Sequence, residues 1–373
     1  MGIEIHGFCD DRFAPMREAF SRNFEKDLEI GASLAMTYRG KTVLDLWAGH
    51  ANPERTRPWQ EDTVVFVAST TKVPMVIALL MVIDRGLIDL DATVAHYWPD
   101  FAQGGKAAVT VRDVLTHQAG VPSLDPPSTL DVLRDWNAVT ARIAAEPHWF
   151  GGERRICYHS NTFGFIASEL IRRVDGRRPR QFFREEIADK IGADFQIGLS
   201  DKAELARVAT VQLPADMSFE GIRAKIYLSF ARPDWNEWAW LSAEFPGAMG
   251  IGNGRSLAKI GAIIAMGGAV DGVRYLSEAM VAQAGREQAS GVCLMFGPIT
   301  WGLGFGLHNP AFPAPSPTSM HWGGFGGSWA LMDPKAQVSL GYAPNNFRFD
   351  ESELVDRRLG RFWHVLSELL PRL

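Results

Sequence analysis

Ser69 and Lys72 are two reactive side chains with the spacing of a nucleophile and its base. Residues 73–83 form an unbroken apolar run with Pro74 near its start, where the first turn of a helix tolerates proline. If a helix begins near Ser69, positions three apart lie on one face with Cβ atoms roughly 5–6 Å apart, so the lysine amine can reach the serine hydroxyl. The β-branched residues 63–68 predict a strand or extended segment before it. The pair therefore predicts acyl transfer to a serine nucleophile.

Two other serines compete for the role of nucleophile. Ser-x-x-Lys is a weak pattern by itself, and Ser256 with Lys259 also matches it. Because an amphipathic run to Met266 follows, we interpret Ser256 as a helix N-cap. Ser328 follows two glycines, as in a nucleophile elbow, but position 330 is alanine rather than glycine and no strong helical pattern follows. We interpret Ser328 as a strand-turn residue.

The composition is that of a globular protein with a large core. The 373 residues are 46% hydrophobic, which suggests one large domain or two interleaved ones. The net charge is −5 and the chain has no basic run, so neither nucleic acid nor a membrane is an expected partner. The longest apolar run, residues 73–83, is shorter than the roughly 20 residues that span a bilayer.

The cysteines, the histidines and the N-terminal segment bear on compartment and metal binding. Cys9, Cys157 and Cys293 are scattered, without disulfide or metal-site spacing, which suits a reducing cytoplasm. Residues 1–26 carry acidic side chains where a signal peptide needs a basic start and an apolar centre. We therefore expect a cytoplasmic protein. Its nine histidines are dispersed, so we expect no metal site and no cofactor.

Strand patterns at both ends of the chain predict one sheet built from both. Residues 33–38 and 42–47 alternate around Arg39-Gly40-Lys41 and predict a hairpin, and three further strands are predicted at 318–322, 328–332 and 338–342. Helical patterns between them cover residues 73–86, 111–118, 130–145, 161–174, 180–191 and 256–267. We predict an α/β fold of the α+β type, an antiparallel sheet flanked by helices. Residues 1–84 and 251–373 form its discontinuous sheet-and-helix domain, residues 85–250 an inserted mostly helical domain, and the active site lies between them.

Seven segments that follow one another over nearly the whole chain resemble the serine β-lactamase and penicillin-binding superfamily. The likeness is closest to its class C-like branch, which includes the family VIII carboxylesterases. The segments are Ser69-x-x-Lys72, residues 111–121, Tyr158-His159-Ser160-Asn161, and residues 255–259, 267–277, 301–306 and 322–324. The resemblance implies a β-lactamase/transpeptidase-like fold and a serine hydrolase that forms an acyl-enzyme.

The resemblance also implies roles for residues beyond the first pair. Tyr158 matches the tyrosine of the superfamily's Tyr-x-Asn or Tyr-x-Ser element, and packing in the core is its alternative role. A phenol with a pKa near 10 can act as a base only if a cation lowers that pKa, and Lys72 is expected to supply the charge. Ser160, two residues on in an extended segment, could hydrogen-bond Lys72 or substrate. The backbone N–H groups of Ser69 and Phe325 are the implied oxyanion hole.

Trp322-Gly323-Gly324 stands where class C β-lactamases have Lys-Thr-Gly, a form seen among family VIII esterases. Loss of that lysine removes a cation that would bind a substrate carboxylate, which favours neutral esters. A shift of one residue would put His321 at this position instead. Strand alternation lets only one of His321 and Trp322 face the serine, and we favour Trp322. The absent side chains of Gly323 and Gly324 would let substrate lie against the strand, although ordinary strand packing is the alternative for the tryptophan and the histidine.

Aromatic residues are concentrated late in the predicted insertion, and Trp238 is our candidate for substrate contact among them. Trp235 and Trp240 lie beside it in the sequence. The cluster predicts either an apolar pocket for the acyl or alcohol group or a satellite core under a long loop. Trp149 and Phe150 have the same two interpretations.

The function predicted from these residues is a serine hydrolase that cleaves small carboxylic esters through an acyl-serine intermediate. Its expected partner is a small-molecule ester substrate, and assembly into a homo-oligomer is compatible with the sequence. A β-lactamase or D-peptidase, an amide hydrolase and an acyltransferase are alternatives within the same chemistry. A catalytically inactive scaffold with this fold is an alternative of another class.

Overall fold

A nine-stranded antiparallel sheet forms the centre of the computed structural model, which describes residues 3–25, 28–214, 219–227, 234–348 and 356–373. The strands occur in the order β1-β3-β2-β14-β13-β12-β11-β10-β9. Their bounds are β1 Ile5–Cys9, β2 Gly31–Tyr38, β3 Lys41–Gly49, β9 Ala289–Cys293, β10 Gly297–Trp301, β11 Gly306–Leu307, β12 Met320–Gly323, β13 Trp329–Asp333 and β14 Val338–Pro344. Two small sheets comprise β4 Val65–Phe66, β5 Gln196–Ile197 and β6 Gly250–Gly252, and β7 Ala269–Val270 with β8 Val273–Arg274.

The predicted hairpin and the three C-terminal strands are confirmed. The hairpin turn has two residues rather than three, because Lys41 already pairs with Tyr38. Arg39 and Gly40 both have positive φ, of 50° and 75°, which matches the right-handed twist of the flanking strands. The N-terminal hairpin and the C-terminal strands join where β2 pairs with β14.

Helices account for most of the chain between the strands. Their bounds are α1 Ala14–Arg22, α2 Lys72–Asp84, α3 Val94–Tyr97, α4 Val111–Leu115, α5 Leu130–Arg134, α6 Trp136–Ala145, α7 Thr162–Asp175, α8 Pro179–Phe183, α9 Asp189–Ile191, α10 Gly221–Tyr227, α11 Trp238–Leu241, α12 Gly254–Ala265, α13 Glu278–Ala284 and α14 Arg357–Leu369. Each of the six predicted helical regions contains helix. The region 130–145 divides at Asp135, whose carboxylate accepts hydrogen bonds from the first N–H groups of α6.

The cap of α12 corrects one sequence interpretation. Asn253, rather than Ser256, is the N-cap, and its side chain accepts a hydrogen bond from the Ser256 N–H at 2.9 Å. Asparagine is as favourable an N-cap as serine, and Asn253 comes first in the chain, so the helix begins there. The Ser256 hydroxyl instead donates to the Asp194 carbonyl at 2.6 Å.

The sheet is covered on both faces, and alternation along β13 shows why. Trp329 and Leu331 belong to a core cluster with α1 and α14, whereas Ala330 and Met332 belong to a larger cluster with α2, α7 and α12. Helix α2 is buried along almost its whole length in this second cluster. The α/β fold with a large antiparallel sheet flanked by helices is therefore confirmed.

All nine strands of the large sheet come from residues 5–49 and 289–344, while residues 85–250 supply α3 to α11. Strand β5, within this predicted insertion, pairs with β6 at its C-terminal boundary, and the larger core cluster includes residues from both parts. The division into two domains remains a prediction. In the described part of the chain, no helix combines the length and apolar character needed to cross a membrane.

Candidate active site

Ser69 lies in a short 3₁₀ turn, Ala68–Thr71, that leads directly into α2. Ala68 has a φ of 45°, a left-handed conformation that is uncommon for a residue with a Cβ. Thr71 fixes this turn, because its hydroxyl donates to the Ala68 carbonyl at 2.5 Å and accepts from the Gly250 N–H at 2.7 Å. The turn presents the half-buried Ser69 at the N-terminal end of a buried helix, where backbone N–H groups favour negative charge.

The Lys72 amine reaches Ser69, with 3.2 Å between Nζ and Oγ. Nζ also donates to the carbonyl oxygens of Ser160 and Gly247, each at 2.7 Å. Lys72 is 1% exposed, and burial lowers its pKa well below the usual range. A neutral amine that donates two protons to these carbonyls keeps its lone pair for the serine hydroxyl. The geometry suits a general base.

The Tyr158 hydroxyl also lies next to Ser69. It hydrogen-bonds Ser69 and accepts the Trp322 indole N–H at 3.1 Å, and the Lys72 Nζ lies 4.9 Å from the centre of its ring. Burial raises the Tyr158 pKa, and its hydrogen bonds with Ser69 and Trp322 only partly oppose that rise. The expectation that Lys72 lowers the phenol's pKa is therefore wrong. Burial disfavours charge on both side chains, so both favour their neutral forms.

Two buried histidines place the segment that carries Tyr158, and sequence reasoning gave neither a role. The Cys157 N–H donates to the His117 carbonyl at 3.0 Å, and the His159 N–H donates to His117 Nδ1 at 3.1 Å. His159 Nε2 accepts from the Val121 N–H at 3.1 Å. Both rings accept hydrogen bonds from the backbone and so must be neutral, in agreement with burial lowering the pKa of each. Both histidines lie in segments on which the family resemblance rests, and this was the only feature of the sequence that could have pointed to them.

Ser160 contributes its backbone rather than its hydroxyl to the contact with Lys72. The hydroxyl was the group expected to make this contact, but the carbonyl turns toward the amine because the Ser160 N–H donates back to the Tyr158 carbonyl at 3.0 Å. The side chain of Ser160 also lines the cavity in front of Ser69. A contact with substrate therefore remains a prediction.

Strand β12 directs Trp322 and His321 to opposite faces. Trp322 contacts Tyr158, whereas the His321 ring packs against Phe312 and Trp363 with ring centres 5.8 and 5.2 Å apart. Burial lowers the His321 pKa to about 4. Both residues border the cavity. Of the two, only Trp322 contacts Tyr158 in the described part of the chain.

The two glycines after Trp322 differ in what surrounds them. A Cβ on Gly324 would lie 2.3 Å from the Val67 carbonyl oxygen and 2.4 Å from Ser328 Oγ, whereas on Gly323 it would make ordinary contacts of 3.4 Å or more. Gly324 is therefore required by the close approach of the protein backbone near Ser69, in addition to any role toward substrate. The Gly324 N–H donates to the Ser328 carbonyl, and the Gly327 N–H to the Gly324 carbonyl, so Phe325 lies in a tight turn. Phe325 lines the same cavity as Ser69.

A cavity of about 580 Å³ opens in front of Ser69 and is largely aromatic. Trp238 is not among its lining residues, and our prediction of substrate contact there is corrected. Trp238 and Trp240 are two positions apart on α11 and therefore point to different sides of the helix, so that only Trp240 faces the cavity. The aromatic lining comprises Phe66, Tyr158, Phe219, Tyr227, Trp235, Trp240, Phe245, Phe296, Phe312, Trp322, Phe325, Trp329 and Trp363. Trp149 and Phe150 instead pack against the cluster that contains Tyr158.

The competing serines are bound into structural contacts. The buried Ser328 hydroxyl donates to the Val67 carbonyl at 2.6 Å and shares a hydrogen bond with Thr70. These hydrogen bonds connect the start of β13 to the turn that carries Ser69.

Among the described residues no group of three or more histidine, cysteine or acidic side chains has the arrangement of a metal site.

The chain is similar in sequence and in fold to known proteins. The β-lactamase family model matches residues 20–362. Esterase/beta-lactamase LipL of Mycobacterium tuberculosis (strain ATCC 25618 / H37Rv) is 33% identical over 364 residues, which cover 92% of this chain and 83% of that protein. The crystal structure of a family VIII carboxylesterase is 36% identical with a TM-score of 0.90, covering 99% of this chain and 100% of the other. A penicillin-binding protein homologue from Caulobacter crescentus is 34% identical with a TM-score of 0.89, over 99% of each chain.

Proposed function

Because this chain belongs to the β-lactamase family of hydrolases, we propose that it hydrolyses small carboxylic esters through an acyl-enzyme on Ser69. The observation that carries the proposal is the buried Lys72 amine, 3.2 Å from Ser69 Oγ and anchored by two carbonyl oxygens. A nucleophile and a base in contact, with a second proton-transfer group beside them, are what acyl transfer requires.

The reaction runs in two halves. Lys72 Nζ takes the Ser69 proton as Oγ attacks the ester carbonyl carbon, and the backbone N–H groups of Ser69 and Phe325 bind the resulting oxyanion. Tyr158 gives its phenolic proton to the departing alkoxide, which leaves a Tyr158 phenolate beside the protonated Lys72. In the second half, water attacks the acyl-serine and gives its proton to the Tyr158 phenolate, and Lys72 returns its proton to Ser69 Oγ as the acid leaves.

The preference for esters rests on Trp322. An indole carries no charge, so this position on β12 offers no cation to a substrate carboxylate, and burying an unpaired carboxylate is costly. The aromatic lining of the cavity suits an apolar acyl or alcohol group. The esterase names of two of the similar proteins are consistent with this choice.

A β-lactamase is the second candidate, and one observation favours it. Arg223 and Arg348 both line the cavity, so a cation outside β12 is close enough to be considered as a carboxylate partner. The ratio of kcat/KM for short p-nitrophenyl esters to kcat/KM for a chromogenic cephalosporin separates the candidates. We expect the ester to react faster, and the reverse order would reject the esterase proposal.

The nucleophile is tested by substitution and labelling together. Ser69→Ala should abolish turnover and labelling by a fluorophosphonate probe, since loss of a serine nucleophile can cost about 10⁶ in rate. Ser256→Ala is the matched control, because it loses structural hydrogen bonds away from Ser69 and should keep most of the activity. Ser328→Ala loses contacts of the turn beside Ser69, so misplacement of that turn can reduce its activity, but labelling of Ser69 should persist. Absence of an adduct on folded wild-type protein would favour an inactive scaffold.

We also infer a cytoplasmic location. Cys9, Cys157 and Cys293 are free thiols, which supports a reducing compartment.

A further inference from the structure

Trp322 makes a contact that goes beyond the absence of a charge. Its indole Nε1 lies 3.1 Å from Tyr158 Oη, and the two rings lie with centres 5.1 Å apart. The other side of Trp322 is supported by Trp301, with ring centres 4.7 Å apart. The indole is thus held between a structural ring and the predicted proton donor.

We propose that Trp322 is a positioning residue for proton transfer by Tyr158: its N–H directs the phenolic proton toward the reacting atoms and stabilises the charge left on Oη. This inference rests on the proposed function. It assigns to an uncharged side chain the task of assisting a buried tyrosine.

The hydrogen-bonding capacity of the groups supports the assignment. An indole nitrogen can only donate, so Trp322 must occupy an acceptor position on Oη. The phenol's own proton is then left for Ser69, which hydrogen-bonds the same oxygen. When that proton passes to the leaving alkoxide, the bond from Trp322 becomes a bond to a charged oxygen, which is stronger than one to a neutral oxygen.

Burial makes this assistance necessary. Tyr158 is 3% exposed, and burial raises its pKa. The hydrogen bonds of Tyr158 with Ser69 and Trp322 lower this pKa but do not cancel the effect of burial. Ser69 becomes acylated in the proposed reaction, so Trp322 is the hydrogen-bond partner of Tyr158 that stays unchanged throughout.

Trp301 provides a matched control. It is fully buried in the same ring stack, yet its indole nitrogen has no hydrogen-bond partner in the described structure. Trp301→Phe therefore replaces an indole and disturbs the packing but removes no hydrogen bond to Tyr158. Trp322→Phe disturbs the packing in the same way and also removes the hydrogen bond to Tyr158.

The experiment compares two esters with the same acyl group. A p-nitrophenyl ester has a leaving group that departs without protonation, while an ethyl ester needs a proton on its departing oxygen. We expect Trp322→Phe to lower kcat/KM for the ethyl ester by about 10-fold or more relative to the p-nitrophenyl ester, from the usual strength of a hydrogen bond to a charged group. Tyr158→Phe should change the same ratio in the same direction and by more. Trp301→Phe should leave the ratio unchanged even if it lowers stability.

Each outcome decides the matter. An unchanged ratio in Trp322→Phe, with a changed ratio in Tyr158→Phe, would overturn the role of Trp322 and leave the proposed function intact. An unchanged ratio in Tyr158→Phe would overturn both roles in leaving-group protonation, while activity surviving in Ser69→Ala would overturn the proposed function itself. If Trp322→Phe does not fold, replacement of Trp322 by benzothienylalanine removes the N–H from a ring of the same shape and is judged by the same ratio.

Discussion

At the scale of single residues, burial decides where the protons lie in this site. Lys72 is 1% exposed, and burial lowers its pKa, whereas burial raises that of Tyr158. The two groups therefore begin as a neutral amine and a neutral phenol, which are a base and an acid ready for use. These protonation states are the ones that the proposed mechanism needs, with Lys72 in the first proton transfer and Tyr158 in the second.

The pH dependence of activity should report Lys72. Its neutral form is the active base, so kcat/KM is expected to rise as pH increases through its lowered pKa and to level off above it. Lys72→Arg keeps a cation that cannot give up its proton and should cost about 10² to 10⁴ in rate. The measurement is kcat/KM for a neutral ester between pH 5 and pH 10.

Lys106 is the control for this prediction. It is also fully buried, and its amine donates to the carbonyls of Gln103 and Ala144 at 2.7 and 3.0 Å. Burial lowers its pKa to about 8. Lys106→Arg should reduce stability without removing the acid limb of the profile. Retention of both activity and the acid limb in Lys72→Arg would contradict the assignment of the base.

At the scale of secondary-structure elements, the site depends on close contact between β12, β13 and the turn before α2. Gly324 approaches the Val67 carbonyl, and Ser328 donates to the same carbonyl oxygen while contacting Thr70. These contacts fix the turn at Phe325 relative to the turn that carries Ser69. An element shift here would separate the two predicted oxyanion donors without touching either residue.

Gly324→Ala should therefore destabilise the protein and nearly abolish activity, because its Cβ would lie 2.3 Å from the Val67 oxygen. We expect a loss of about 1–3 kcal/mol in the free energy of unfolding, the usual range for overpacking. Gly323→Ala, one residue earlier, meets only ordinary contacts and should unfold at nearly the wild-type urea concentration. Equal unfolding midpoints for the two variants would show that the strand can move away and would reject this account.

At the scale of the whole molecule, burial in the core shifts the pKa values of several ionisable groups toward their neutral forms. Burial lowers the pKa of His321 to about 4 and of His159 to about 3, and it lowers that of His117 as well. Glu29 has the opposite sign, since burial raises its pKa to about 7 despite its ion pair with Arg358. These four groups contribute to the pH dependence of stability with opposite signs.

The sign of each contribution follows from which state binds the proton first. The unfolded chain protonates histidine near pH 6.5, but the folded protein does so only near pH 4 at His321 and pH 3 at His159. Stability is therefore lost as the pH falls from about 6.5. Glu29 takes its proton first in the folded state and adds stability as the pH falls from about 7 to 4.5, which offsets part of the loss.

We expect the urea midpoint to decrease from pH 7 to pH 4, because three histidines oppose one glutamate. His321→Phe should flatten this dependence by about 3 kcal/mol, since each unit of pKa shift corresponds to about 1.4 kcal/mol. His321 is a suitable target because its Nε2 is buried without a hydrogen-bond partner in the described structure. An unchanged slope in His321→Phe would show that the ring is not held neutral.

Local sequence determined much of this protein. Alternation predicted the hairpin and the C-terminal strands, and it required His321 and Trp322 to face opposite ways. The spacing of Ser69 and Lys72 at the start of an apolar helix predicted their contact, which the structure contains. These features depend on neighbours within a few residues, where backbone geometry alone decides which side chains share a face.

Tertiary structure decided what distant residues do to one another. The carbonyl partners of Lys72 lie 88 and 175 residues away in the sequence, and no local pattern identifies them. Burial set the pKa directions of Lys72 and Tyr158 against the charge argument, and packing selected Trp240 rather than Trp238 for the cavity. Solvent exposure and hydrogen-bond partners arise only when segments far apart in the chain pack together, and for that reason the sequence alone could predict the reactive residues but not their protonation or their pocket.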